Sequence, residues 1–128
     1  MDAGEIGARH SATALYEVIF LQGAQGWIAT VQLRWQDPDT YQVQEINDNF
    51  NTRDLSQSFE QANPRYQLAV VVAQYADLLR GSPWAQTTSI FRLADYARQL
   101  SYALGDDPEV AEFAGLVSRA SQIRALGN

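Results

Sequence analysis

The sequence contains no cysteine and no lysine, and only one histidine among 128 residues. Without cysteine there is no disulfide, no thiolate nucleophile and no thiolate metal ligand, though the compartment stays open because exported proteins also do without it. Without lysine every cation is an arginine, which pairs with carboxylates through a planar fork but forms no Schiff base. Basic charge is scarce as well: nine arginines against fifteen carboxylates leave a net charge of −6. The arginines are scattered singly, so the clustered basic surface that a nucleic acid or an anionic membrane demands is lacking. No run approaches the roughly 18 apolar residues of a membrane span. The start, Met1-Asp2-Ala3-Gly4-Glu5, has neither the basic nor the apolar part of a signal peptide and suits a piece cut from a longer protein.

What is present is the composition of a folding domain, 46% hydrophobic and 19% charged. The length favours a single domain with one core. Its first third reads as strands. Ala12 to Leu21 is rich in β-branched and aromatic residues, apolar on both faces, and predicts a covered strand. After a turn at Gly23-Ala24-Gln25-Gly26, Trp27, Ala29, Val31, Leu33 and Trp35 alternate with Ile28, Thr30, Gln32 and Arg34. That period of two predicts a strand with a buried face, on which Trp27 and Trp35 join the core. Gln36-Asp37-Pro38-Asp39-Thr40 supplies turn chemistry, so Tyr41 to Ile46 should return antiparallel. Residues 12–46 thus form the sheet part, 47–62 a polar connection and 63–126 a three-helix part.

Each helix is bracketed by start and stop signals. Asn63-Pro64 opens the first, whose stripe Leu68, Val71, Val72, Tyr75, Ala76 and Leu79 ends at Gly81. The second starts near Thr88 or Ser89, buries Ile90, Leu93, Ala94, Ala97, Leu100 and Leu104, and stops at Gly105. Asp107-Pro108-Glu109 opens the third, which buries Val110, Phe113, Val117 and Ala120 before Gly127. Strands first and helices after, without alternation, predict an α+β fold: a small antiparallel sheet of about three strands with three helices packed on it. Such a sheet leaves free edges, and an exposed edge is a template for another strand.

The segments Thr13-Ala14-Leu15-Tyr16-Glu17-Val18, Ala29-Thr30-Val31-Gln32-Leu33-Arg34-Trp35 with its Asp37-Pro38-Asp39 turn, Tyr66-Gln67-Leu68-Ala69 and Leu78-Leu79-Arg80-Gly81-Ser82-Pro83 occur in that order. Together they resemble the uncharacterised C-terminal domain of bacterial von Willebrand factor type A domain-containing proteins, the type labelled calcium-activated chloride channel homologues. The resemblance implies a metal-binding A domain upstream in the parent protein and an exported or envelope setting. It implies no catalytic residues in this region.

The candidate sites are few. Asp54-Leu55-Ser56-Gln57-Ser58 spells the D-x-S-x-S pattern of an A-domain cation site, but it follows the polar Asn47 to Arg53 instead of a buried strand, so a loop with capping Ser58 and Gln61 is the expected reading. Asp37 and Asp39 are two oxygen donors where a calcium site uses five or more, and they read as turn formers. Asp106, Asp107 and Glu109 read as helix caps. His10, in a polar N-terminal segment with no nucleophile elbow in the chain, reads as a solvated side chain. Gly23 and Gly26 precede a strand and therefore cradle no phosphate. No catalytic residue, cofactor or metal is expected.

The segment Arg80-Gly81-Ser82-Pro83-Trp84 supports two readings: Trp84 folds back into the core, or Arg80, Pro83 and Trp84 contact a partner. The expected role is a non-enzymatic interaction or scaffolding module. Its partners would be upstream regions of the parent, another protein, or a second copy paired through sheet edges, with no nucleic acid and no membrane insertion. The alternative is a hydrolase or small-ligand binder using carboxylates in an acidic cleft, marked by a facing pair of raised pKa.

Overall fold

The computed structural model describes residues 7, 10–105 and 107–126. Expectations placed on Met1 to Glu5, Asp106 and Gly127 fall outside these. The fold is α+β, an antiparallel pair of strands followed by three α-helices, and the chain divides into two compact units. One covers Tyr16–Gln57, and the other takes in the helices that follow Ser58.

In the first unit, strand β1 (Trp27–Gln36) pairs antiparallel with β2 (Val43–Asn51). The sheet has two strands rather than three, because residues 10–21 carry no regular secondary structure. Alternation records only a local β preference, and a strand exists through the neighbour that takes its hydrogen bonds. β2 also runs past its expected end at Ile46. Asn47, Asp48 and Asn49 are poor strand formers, yet they lie opposite Gln32, Val31 and Thr30, and that pairing outweighs their intrinsic preference. Asp37 closes the hairpin, its carboxylate accepting from the backbone N–H groups of Asp39 at 3.0 Å and Thr40 at 2.8 Å. Gly26 enters β1 at φ +88°, a conformation open to glycine, and its N–H donates to the Thr52 hydroxyl at 3.0 Å.

A register shift between Trp27 and Ala29 reassigns one tryptophan. Ala29 lies opposite Phe50 but Trp27 lies opposite Asn51, so Ile28 is an extra residue, a β-bulge. Directly opposed residues share a face, and neighbours along a strand do not. Ala29, Val31, Leu33 and Trp35 therefore share one face with Phe50 and Ile46, while Trp27 falls on the other with Thr30, Asn49 and Asn51. The indole of Trp27 donates to the Thr30 hydroxyl at 3.3 Å, which in turn donates to Asn49 at 2.6 Å. Neither tryptophan is core: Trp27 is 66% and Trp35 38% exposed.

The second unit holds the core. Helices α1 (Pro64–Leu79), α2 (Ile90–Ala103) and α3 (Pro108–Leu126) match their expected positions closely. Asn63 caps α1 by accepting from the Arg65 N–H at 2.9 Å, and Asp107 accepts from the Glu109 N–H at 3.2 Å at the start of α3. α2 packs against α3 and, less extensively, against α1. Val71, Ile90, Leu93, Ala97, Leu100, Val110 and Val117 are buried, and Leu68, Tyr75, Leu78 and Phe113 pack around most of them. Tyr75 meets Phe113 edge to face, ring centres 5.8 Å apart.

The buried face of α1 is rotated from the expected stripe. Val72, Ala76 and Leu79 are exposed, while Gln67 is buried. Gln67 fits because its amide donates to the carbonyls of Glu60 at 3.1 Å and Ala62 at 2.8 Å, so its burial strands no donor. The stretch 47–62 is likewise more than a connection. Phe59, in a short 3₁₀ turn (Phe59–Gln61), packs on the core and meets Tyr96 edge to face at 5.5 Å.

Candidate interaction surface

The β-ribbon presents one polar and one apolar face. Thr30, Gln32, Arg34 and Gln36 lie opposite Asn49, Asn47, Glu45 and Val43 on the polar side. On the apolar side Val31, Leu33, Trp35, Ile46 and Phe50 are all exposed. Contiguous exposed apolar side chains on a sheet face are what a binding surface supplies, whereas single exposed ones are ordinary. Residues Tyr16 to Leu21 of the same unit add exposed Tyr16, Val18, Ile19, Phe20 and Leu21.

The two edges of the ribbon differ. β2 carries Glu45 and Asp48, and Asp48 lies on the apolar face opposite Val31. A charge pointing to the apolar side of an edge strand discourages a further strand. β1 carries one charge, Arg34, on the polar face and opposite Glu45, and it has no proline. Beyond the bulge at Ile28, β1 is the open edge.

In the helical unit, Trp84 lies on the 3₁₀ turn Pro83–Ala85 and is 84% exposed, so the core reading of this side chain is overturned. The turn is well specified: Gly81 stands at φ +65°, and the Ser82 hydroxyl accepts from the Trp84 N–H at 3.3 Å. Arg80 pairs with Asp77 one turn back on α1 and is itself exposed. Arg80, Pro83 and Trp84 are each exposed in the segment that follows α1.

The acidic motifs are occupied by local bonds. Asp54 accepts from the Asn51 N–H at 2.8 Å, closing the 3₁₀ turn Thr52–Asp54, with Arg53 beside it. Ser58 stands at the start of the next 3₁₀ turn, but neither its side chain nor that of Gln61 makes the expected cap. The N–H groups and hydroxyl of Thr40 and the Asp39 N–H hold the Asp37 carboxyl below its ordinary pKa. The Arg65 guanidinium, 2.6 Å from Asp107, does the same there, aided by N–H groups of α3. Glu60 is held low by its own N–H and by the Ser58 and Tyr96 hydroxyls. All three are acceptors kept charged at neutral pH, the opposite displacement from that of a general acid. His10 is exposed, its N–H donating to the Gly7 carbonyl at 3.0 Å. Among the described residues, no three His, Cys, Asp or Glu side chains cluster to hold a metal, and no helix is long and apolar enough to cross a membrane.

A groove of about 440 Å³ between α2 and α3 is lined by Phe91, Ala94, Gly115 and Ser118, with Asp95 and Arg98 at hydrogen-bond distance, 2.8 Å. Its one carboxylate is paired and has no acidic neighbour lining the groove.

Residues 22–123 match the family model described as uncharacterized protein YfbK, C-terminal. The chain belongs to this family. Its match begins at the turn before β1 and runs through most of α3, so ribbon and helices together are what the family shares. Neither the curated proteins nor the solved structures give a match.

Proposed function

We propose that this member of the YfbK C-terminal family is a non-enzymatic interaction module whose β-ribbon receives a strand from elsewhere, C-terminal to a von Willebrand A domain in its parent protein. The observation that carries the reading is the ribbon itself: two strands, one open edge and an exposed apolar face. A two-stranded ribbon is marginal alone in water, and a third strand or a covering layer is what gives such a face stability. Strand addition supplies both affinity, through backbone hydrogen bonds, and selectivity, through alternate side chains. Arg80, Pro83 and Trp84 offer a second contact, since an exposed indole and an arginine a few residues apart in sequence are of the residue types that anchor interfaces.

Hydrogen exchange on the chain and on its longer parent protein tests this. The hairpin is antiparallel, and the backbone N–H of Asp37 donates to the Gln42 carbonyl. The alternation of bonded and non-bonded pairs then turns the N–H groups of Thr30, Gln32 and Arg34 toward the open edge. These amides are expected to exchange at least about tenfold more slowly in the parent protein than in the dilute chain. Equal, fast exchange in both, together with no affinity of the chain for the upstream region, overturns the proposal.

A further inference from the structure

Resting on that reading, we infer that the open edge of β1 accepts a second copy of this chain, β1 against β1 about a twofold axis at Gln32, to give a continuous four-stranded sheet.

The inference comes from what the edge presents when turned on itself. The regular part of β1 runs from Ala29, just past the bulge, to Gln36, and pairing about Gln32 uses Ala29 to Trp35 because Gln36 would then fall opposite the bulged Ile28. Antiparallel pairing about Gln32 keeps apolar face against apolar face, because the opposed positions then sum to an even number and strand faces alternate with period two. On the apolar side Val31 meets the partner's Leu33, and Ala29 meets the partner's Trp35, small against large. On the polar side Gln32 meets the partner's Gln32 and Thr30 meets the partner's Arg34. The two Gln32 amides then face each other across the axis and can bond laterally from strand to strand. Arg34 keeps Glu45 on its other side, so no like charges are opposed. The backbone agrees, since Thr30, Gln32 and Arg34 are the residues whose N–H and C=O groups face outward.

The other pairings are worse. β2 against β2 brings together the edges that carry Glu45 and Asp48 in a chain of net charge −6. β1 against β2 of a second copy sets Asp48 into the apolar row, and it propagates without closing, whereas the twofold arrangement closes at two. An edge contact of seven residues buries less than the about 1,200 Å² of a tight complex, so the dimer is reversible and concentration-dependent.

Light scattering on the full chain over a concentration series is expected to show a mass rising from 14.3 kDa toward twice that value. Gln32→Lys places two cations face to face at the axis and should weaken self-association by roughly tenfold or more. Asn47→Lys, at the same height on the other edge, should leave it unchanged. Gln32→Glu alone should weaken it similarly, and an equimolar mixture of Gln32→Lys with Gln32→Glu should restore it. All positions substituted lie on the exposed polar face, and circular dichroism checks that each variant folds. A mass fixed at 14.3 kDa at every concentration, equal effects of Gln32→Lys and Asn47→Lys, or no rescue in the mixture overturns the inference. If the inference fails while the Thr30, Gln32 and Arg34 amides are protected in the parent protein, the edge takes a different strand and the proposed function stands.

Discussion

The helical unit and the β-ribbon carry apolar residues at regular intervals, yet they dispose of them in opposite ways. Three helices enclose a volume, so the stripes of α1, α2 and α3 cover one another and leave Val71 only 1% exposed. Two strands enclose nothing, and Val31, Leu33 and Ile46 stay in contact with water although their spacing is equally regular. Pattern predicts which side chains share a face, and the number of layers decides whether that face is dry. In this protein the dry unit supplies stability and the wet one supplies a surface.

The sharpest way to break this contrast is a matched pair of truncations. Leu93→Ala removes a buried side chain at the meeting of the helices and is expected to cost about 2–5 kcal/mol, whereas Leu33→Ala on the ribbon should cost under about 1 kcal/mol. Urea unfolding followed by helical circular dichroism measures both; similar losses at the two positions would show that the ribbon face is covered in solution.

A smaller effect is expected at the cap of α1. Asn63→Ala removes the acceptor for the Arg65 N–H and should cost about 1 kcal/mol in the same unfolding measurement. No change there would mean that the start of α1 is held by tertiary contacts instead of by its cap.

The smallest effect is a titration. Asp107 and Asp37 both have lowered pKa values, the first through a guanidinium and the second mainly through turn N–H and hydroxyl donors. A carboxyl whose folded pKa lies below its unfolded value contributes stability that is complete above the unfolded value and is lost as the pH falls through the folded one. Both contributions should therefore vanish only in acid. Arg65→Gln is expected to raise the Asp107 pKa toward its ordinary value and leave Asp37 unmoved, while Thr40→Val should raise Asp37 alone. Carbon NMR of the side-chain carboxyls reads both; a shift at Asp37 on Arg65→Gln would tie the two sites together.

How much was legible follows the range of the forces involved. The helices could be read because their signals are local: Asn63-Pro64, Gly81, Gly105 and Asp107-Pro108 mark ends within a turn of where they act. The face of α1 could not, because the helix is apolar on more than one side. Packing chose Leu68, Val71, Tyr75 and Leu78, with Gln67 admitted by two carbonyls from the turn just ahead of the helix. Phe59 was overlooked because it sits singly in a polar segment, where no periodicity points inward. Of the candidate surface, the alternation of β1 was visible, but the exposure of its apolar face and of Trp84 was not, since burial depends on what else comes near.

By itself, then, the amino-acid order determined the three helices and their termini, the hairpin turn at Asp37 and the absence of thiol and lysine chemistry, all of which depend on composition or on neighbours a few residues away. Tertiary pairing decided the rest. It extended β2 through Asn51 and left Ala12 to Leu21 without a strand partner. By setting Asn51 opposite Trp27 across a bulge, it put two tryptophans of apparently equal phase on opposite faces. The reason is that a strand, unlike a helix, satisfies its backbone only through another segment, so its length, register and exposed edge are properties of the pair.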